Sequence, residues 1–134
     1  MRAGTAKPES TLLEKELTEQ IIAAAIDVHR ALGPGLLESV YQLCLAQEFM
    51  LRGLSFEQEK VIAIDYKGIH IDSGYRLDFI VQNKVVVELK AVESMLPVHE
   101  AQLLTYLKVT GCKVGLLINF NVPILKQGII RRVF

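Results

Sequence analysis

The chain of 134 residues lacks a net charge, a long apolar run and more than two cysteines. Its 15 Lys and Arg residues balance 15 Asp and Glu residues, which excludes a strongly basic protein that coats nucleic acid through net charge alone. The longest apolar runs fall far short of the roughly 20 residues that cross a bilayer, and the N-terminal pattern is not that of a secretory signal. We therefore expect a cytoplasmic protein that does not enter a membrane.

Motifs of several enzyme classes are also missing. The two cysteines, Cys44 and Cys112, have neither a CxxC partner nor a metal-ligand spacing, so we expect buried free thiols in a reducing compartment. There is no Gly-x-Gly-x-x-Gly phosphate loop, nucleophile elbow or zinc ligand set. The Gly-Pro-Gly sequence at 33–35 follows a predicted helix rather than a strand, which argues against an oxidoreductase with a nicotinamide or flavin.

The balanced charge hides an asymmetry between the two halves of the chain. Residues 1–66 carry six basic and ten acidic side chains, whereas residues 67–134 carry nine basic and five acidic ones. Either this difference is scatter on solvated surfaces, or the second half presents a basic surface to a polyanion. The composition, 51% hydrophobic and 22% charged, predicts one folded domain with its own core.

The apolar periodicity predicts one α/β domain over residues 16–134, preceded by a flexible tail over residues 1–15. The predicted order is α-α-β-β-β-α-β(-β), in which the last strand is short. Gly-Pro-Gly ends the first helix, for which Thr18 is the expected N-cap. The predicted helices cover residues 18–32, 36–52 and 97–110, and the predicted strands cover residues 56–66, 69–81, 85–89, 114–120 and 129–133.

The most informative feature is a predicted hairpin that carries charged residues among apolar ones. If its loop spans residues 82–84, Val81 pairs with Val85, and counting back places Asp78 opposite Glu88. A two-residue loop would shift this register by one. Like charges opposite each other destabilise a sheet, so a cation must compensate or one carboxyl group must hold a proton. Lys90, on the same strand face as Glu88, or a divalent metal ion can supply the positive charge.

Two carboxylates and a lysine in one place have two interpretations. The first is a structural salt bridge at the sheet surface, which these common residue types often form. The second is metal-assisted hydrolysis of a phosphodiester: carboxylate oxygens hold Mg²⁺, which lowers the pKa of a bound water and neutralises phosphate charge. A lysine can then position the attacking water or stabilise the oxygens of the transition state.

Asp78, followed ten residues later by Glu88, Leu89 and Lys90, resembles the core motif of the PD-(D/E)xK nuclease superfamily. From about residue 17 onwards the chain resembles one branch of it, the family named for a GxxExxY signature. Matching strings occupy residues 35–41, 66–68, 88–92, 101–108 and 115–120. Unlike the superfamily's name, no proline precedes Asp78, a position that varies widely among its members. The resemblance implies an α/β fold with a restriction-endonuclease-like core, a mixed β-sheet flanked by helices.

The resemblance also implies a metal site and a catalytic lysine. Asp78 and Glu88 would hold Mg²⁺ or Mn²⁺, Glu38 would add a third carboxylate from the second helix, and Lys90 would be the catalytic lysine. The alternative for Glu38 is a first-turn glutamate that the helix dipole favours.

Four further residues are candidates for supporting the reaction. Gln102 and Tyr106 are four apart on the third helix and share a face. The resemblance implies that Gln102 belongs to the catalytic set and that Tyr106 helps to hold substrate; the alternative is a polar helix rim packed on the sheet. Arg76 shares strand parity with Asp78, so we expect it to point the same way and contact a phosphate. Tyr41, three residues after Glu38 and on the same side, is a further candidate for substrate binding.

These residues lead to a nuclease dependent on Mg²⁺ or Mn²⁺ as the expected function, with DNA preferred over RNA as substrate. The alternative is a non-catalytic module that binds nucleic acid or a protein, which the absence of a separate target-recognition domain favours. A homodimer would supply the additional surface needed to grip a duplex. For His29 and His99, capping or supporting roles are preferred to roles as ligands or bases.

Overall fold

The structure, a computed structural model, describes residues 13–134. Most of the predicted tail lies outside the described residues. The helices are α1 (Lys15–Leu32), α2 (Glu38–Leu51) and α3 (Pro97–Thr110), with a short 3₁₀ helix at Leu125–Gly128. The strands are β1 (Phe56–Tyr66), β2 (Ile69–Val81), β3 (Val85–Lys90), β4 (Val114–Asn119) and β5 (Ile129–Val133).

Within the described residues, the strands form one five-stranded mixed sheet in the order β1-β2-β3-β4-β5. Strands β3 and β4 are parallel, and the other neighbours are antiparallel. Parallel neighbours need a crossover connection, which α3 provides between β3 and β4. The mixed sheet flanked by helices that the sequence predicts is therefore confirmed.

Helices cover both faces of the sheet at its centre. Val85, Val87 and Leu89 pack in the cluster with α1 and α2, whereas Val86 packs in the cluster with α3. All five residues from Val85 to Leu89 are buried. This burial on two faces explains why β3 is almost continuously apolar, and it makes the charge of Glu88 costly at that position.

The ends of the helices differ in places from the sequence-based prediction. Helix α1 begins at Lys15, three residues before the expected start, so Thr18 lies inside its first turn rather than at the N-cap. The Thr18 hydroxyl instead donates to the carbonyl of Lys15 at 3.0 Å. Helix α2 begins at Glu38, and the 3₁₀ helix at Leu125–Gly128 was not predicted.

The two cysteines agree with a protein that has no disulfide framework. Cys112 is buried and Cys44 is half-buried, and both are free, so the prediction of burial is confirmed in full only for Cys112. No helix within residues 13–134 combines the length and the hydrophobicity that a membrane crossing requires.

The 3₁₀ helix packs tightly on the end of β4. A methyl group at Gly128 would overlap the carbonyl oxygen of Asn119, and it would also lie 3.1 Å from a methyl of Val122. Backbone atoms cannot yield as a flexible side chain can, so only glycine fits here. This close contact between Gly128 and Asn119 fixes the position of the chain just after β4, beside the end of β3.

Replacing Gly128 with alanine should therefore lower the free energy of unfolding by about 3 kcal/mol, near the upper end of the usual cost of overpacking. Urea denaturation followed by circular dichroism measures this change. The exposed neighbour provides a control, because Gln127→Ala should change the stability by less than about 0.5 kcal/mol. Equal stabilities of G128A and Q127A would contradict the packing at this position.

Candidate active site

Asp78 and Glu88 face each other where β2 and β3 separate. The ladder pairs Val81 with Val85 and Phe79 with Val87, which confirms the register predicted from the three-residue loop. Beyond these pairs, side chains replace the backbone ladder. The Asp78 N–H donates to Glu88 Oε2 at 2.7 Å, and the Leu89 N–H donates to Asp78 Oδ2 at 2.7 Å. We call this reciprocal arrangement the carboxylate clasp.

The alternation of side chains along β2 is interrupted at Asp78, the point where the strands part. Phe79 packs in the cluster with α1 and α2, but Leu77 packs in the cluster with α3, although the two residues have the same parity. On β1, the residue between the partners of Leu77 and Phe79 is Glu59, which has a left-handed backbone with φ of 57°. Asp78 therefore lies at the point along β2 where side chains stop alternating regularly between the two faces of the sheet.

This interruption removes the basis of the prediction for Arg76. The prediction assumed that side chains alternate regularly along β2. Because this alternation is interrupted between Leu77 and Phe79, strand parity does not tell whether Arg76 and Asp78 lie on the same face. Arg76 is exposed on the β1–β2 ribbon, opposite Val61. Among the charges that act most strongly on the carboxylate clasp, Lys90 supplies the positive one. A phosphate contact by Arg76 remains a proposal.

Burial sets the protonation of the carboxylate clasp. Glu88 is 5% exposed and Asp78 is 9% exposed. Desolvation is the largest cause that raises the pKa of Glu88 to about 8, and repulsion from Asp78 adds to it. Desolvation likewise raises the pKa of Asp78 to about 6, against the lowering effect of the Leu89 N–H. Without a bound cation, the pair therefore retains a proton near neutral pH.

Lys90 and Glu38 lie at the edge of the carboxylate clasp. Lys90 is half-buried at the end of β3, and its charge lowers the pKa of both carboxyl groups. In the described part of the chain it makes no ion pair within 4 Å, so its ammonium group stands near the carboxylates without closing on them. Glu38 is exposed in the first turn of α2, and its charge raises the pKa of both carboxyl groups.

The donor set suits one hard divalent cation. Each clasp residue uses one oxygen for a backbone N–H, and the second oxygens, Asp78 Oδ1 and Glu88 Oε1, accept no hydrogen bond within the described residues. Since every fully enclosed polar side-chain atom there has a partner, neither of these two oxygens is fully enclosed. Mg²⁺ commonly binds one or two carboxylates and retains several waters. The pair fits this pattern.

The predicted third ligand does not join the pair. No group of three or more His, Cys, Asp or Glu residues within 13–134 lies close enough to hold a metal ion. Glu38 influences the site through its charge, but it does not complete a three-carboxylate cluster with Asp78 and Glu88. A direct role of Glu38 as a metal ligand therefore stays a prediction.

Tyr41 occupies a different place from the one expected. Its side chain is fully buried and stacks on Phe120, with ring centroids 4.5 Å apart. The hydroxyl donates to the carbonyl of Gly33 at 2.5 Å and accepts the Leu36 N–H at 3.2 Å. Burial leaves no surface for substrate contact, so the expected role in substrate binding does not fit. Tyr41 instead fixes the Gly-Pro-Gly loop that precedes Glu38.

Asn119 is a supporting residue that the sequence analysis missed. It is 3% exposed, and its amide makes two hydrogen bonds to the chain after β3. The amide donates to Val92 O at 2.9 Å and accepts the Val92 N–H at 3.1 Å. Because Lys90 lies two residues before Val92, Asn119 fixes the strand end that carries the lysine. A buried polar residue at the end of an apolar strand is the sequence signal that indicates such a partner.

The two histidines have structural partners, in agreement with the preferred interpretation. His29 Nε2 is 2.9 Å from the carbonyl oxygen of Val122, which ties α1 to the loop after β4. His99 Nδ1 accepts the Leu96 N–H at 3.0 Å and caps the start of α3.

Gln102 and Tyr106 lie together on the face of α3 towards β1 and β2. Both line a groove of about 260 Å³. Desolvation, followed by the charges of Glu88 and Asp78, raises the pKa of Tyr106 to about 12, so its hydroxyl is a neutral neighbour of the carboxylate clasp. A larger cleft of about 680 Å³ lies at the start of α1 and is lined by none of the predicted site residues.

The described residues thus combine a mixed sheet flanked by helices with two paired acidic residues and a lysine where strands β2 and β3 separate. The family model of the PD-(D/E)XK nuclease superfamily matches residues 15–133, so the chain belongs to this superfamily. Comparisons with curated proteins and with solved structures gave no match. Nucleases of this superfamily act on nucleic acid and generally require a divalent metal ion. The narrower resemblance to the GxxExxY family stays a prediction.

The raised pKa values predict that the metal-free protein loses stability as pH rises from about 4.5 to 8. In this range the native state retains a proton on Glu88, and up to a pH of about 6 also one on Asp78, that the unfolded chain has released, so increasing pH favours unfolding. The loss should be on the order of a few kcal/mol. Urea unfolding in EDTA across this pH range measures it.

Two variants isolate the contribution of the carboxylate clasp. Glu88→Gln should remove most of the decline, because the amide does not ionise and can still accept the Asp78 N–H. Glu19→Gln, at an exposed position of α1, should retain the decline of the parent protein. An unchanged slope in E88Q would contradict the assignment of the raised pKa to this residue.

Proposed function

We propose that this chain is a divalent-metal-dependent nuclease that hydrolyses phosphodiester bonds of DNA, with RNA as the second choice. The observation that carries the proposal is the carboxylate clasp, which leaves one oxygen of each carboxylate without a hydrogen bond among the described residues, near enough to Lys90 for its charge to lower the pKa of both carboxyl groups. A purely structural salt bridge would close the lysine on a carboxylate, which Lys90 does not do within the described residues.

Asp78 Oδ1 and Glu88 Oε1 would hold Mg²⁺ or Mn²⁺ in this proposal. The metal would lower the pKa of a bound water and neutralise charge on the scissile phosphate. The two backbone N–H groups of the clasp keep the remaining carboxylate oxygens in place, so the pair is oriented before substrate arrives. Raised carboxyl pKa values mean that cation binding releases a proton near neutral pH.

Lys90 would donate hydrogen bonds to a non-bridging oxygen of the phosphate and stabilise the charge that develops there. Asn119 would preserve the position of Lys90 by holding the chain at Val92. Glu38, exposed at the start of α2, would act through ordered water rather than by direct contact. Arg76 would add a contact to a flanking phosphate, and Gln102 and Tyr106 would hold the strand beside the site.

Hydrolysis of labelled single-stranded DNA, duplex DNA and RNA in Mn²⁺, Mg²⁺ and EDTA tests the proposal. Asp78→Asn, Glu88→Gln and Lys90→Met should each lower kcat/KM by about 100-fold or more, because each removes charge from the reacting centre. Glu38→Gln should cost about 10-fold, as for a residue that acts through water. EDTA should abolish cleavage.

Matched controls are a charge-neutralising change at Glu19 and one at Lys126, both exposed and outside the proposed site. Glu19→Gln and Lys126→Met should keep the parent activity. Salt-dependent DNA binding without hydrolysis, unchanged when Asp78 and Glu88 are both replaced, would contradict a nuclease and support a non-catalytic binding module. Sedimentation with and without duplex DNA tests whether a homodimer forms.

A further inference from the structure

An uncharged groove lies beside the carboxylate clasp, between α3 and the β1–β2 ribbon. Its volume is about 260 Å³. Two tyrosines, Tyr75 and Tyr106, contribute aromatic surface, and Gln102 contributes a primary amide. The remaining lining is mainly aliphatic, and none of the groove's lining residues carries a charge. A phosphate or a cation therefore has no charged partner inside this groove, whereas a neutral planar ring has both apolar and polar contacts.

Tyr106 connects the groove to the proposed reaction centre. It lines the groove, and the charges of Glu88 and Asp78 both act on its hydroxyl. The groove also has an open aromatic wall, because Tyr75 is 50% exposed on β2 opposite Ile62. The pairing of Tyr75 with Ile62 places both side chains on the face of the sheet that α3 covers. One boundary of the groove is thus an aromatic ring that faces α3.

We propose that this groove binds one nucleobase of the strand whose phosphate lies at Asp78 and Glu88, a proposal that rests on the proposed nuclease function. Every nucleobase has an apolar aromatic face that stacks on tyrosine. Its polar edge pairs with an amide such as that of Gln102, which offers both a donor and an acceptor. The groove is smaller than pockets that hold drug-sized ligands. It suits a single ring system rather than a whole nucleotide.

The position of the groove constrains the form of the substrate. A base within one or two nucleotides of the scissile phosphate enters the groove only when it is unstacked from its neighbours. Single strands and frayed ends provide such bases at low cost, whereas an intact duplex must first break a pair. The substrate class is therefore a single-stranded segment or strand end.

Cleavage of single-stranded oligonucleotides that carry one abasic site, moved stepwise past the cut bond, tests the proposal. One abasic position should lower kcat/KM of the parent protein by about 5- to 100-fold, as expected for the loss of one stacked base. In Tyr75→Ala the same abasic site should cause little further loss, because the stacking partner is already missing. Tyr66→Ala, at a tyrosine 58% exposed on the same ribbon, should retain the full abasic effect.

A second variant and a binding measurement keep the test informative if Tyr75→Ala does not fold or if the protein does not cleave the substrate. Val98→Trp, at a position 64% exposed on the groove wall, should fill the groove and mimic Tyr75→Ala. Binding in EDTA, measured by fluorescence anisotropy with the same oligonucleotides, requires no hydrolysis. An abasic effect on binding that Tyr75→Ala removes would support the groove even if the nuclease proposal failed. Equal abasic effects in the parent protein, Y75A and V98W would overturn it.

Discussion

The repulsion between two buried carboxylates is the constraint on which the site depends. Asp78 and Glu88 are held together by backbone N–H groups from opposite strands, in an environment that disfavours their negative charges. A fold that minimised its own free energy would replace them with apolar residues of similar volume. The protein retains the pair in the centre of its sheet, so the point where β2 and β3 separate is a place where the fold loses stability.

Much of the site follows from one turn length in the sequence. The loop at 82–84 sets the register of β2 and β3, and this register brings Asp78 to Glu88. The sequence does not show how the strands separate there, because the change of face between Leu77 and Phe79 depends on packing against helices on both sides. The left-handed backbone of Glu59 is equally hidden, since glutamate has no preference for it. Strand parity therefore predicts the face of each side chain from Val81 back to Phe79, but the prediction does not extend back to Arg76.

The strings that carry the resemblance contain residues of two kinds. Glu38 is exposed and acts on the clasp through its charge, whereas Tyr41 is enclosed and shapes the loop before it. Sequence spacing placed both on the same side of a helix but could not separate the exposed from the buried position. Asn119 shows the same limit, because its amide contacts Val92, which is distant in the chain and brought near only by the parallel pairing of β3 with β4.

The crossover between β3 and β4 also determines how close together in the sequence the residues of the candidate site lie. Asp78, Glu88, Lys90, Gln102 and Tyr106 all belong to one uninterrupted stretch formed by β2, β3 and α3. Closing short segments of chain costs little conformational entropy. The geometry of the candidate site is therefore encoded largely in one continuous segment of the chain. Helix α1 packs over one face of the sheet, and β5 forms one of its edges. Changes of length at the far ends of the sheet can accumulate in related chains while this stretch keeps its shape.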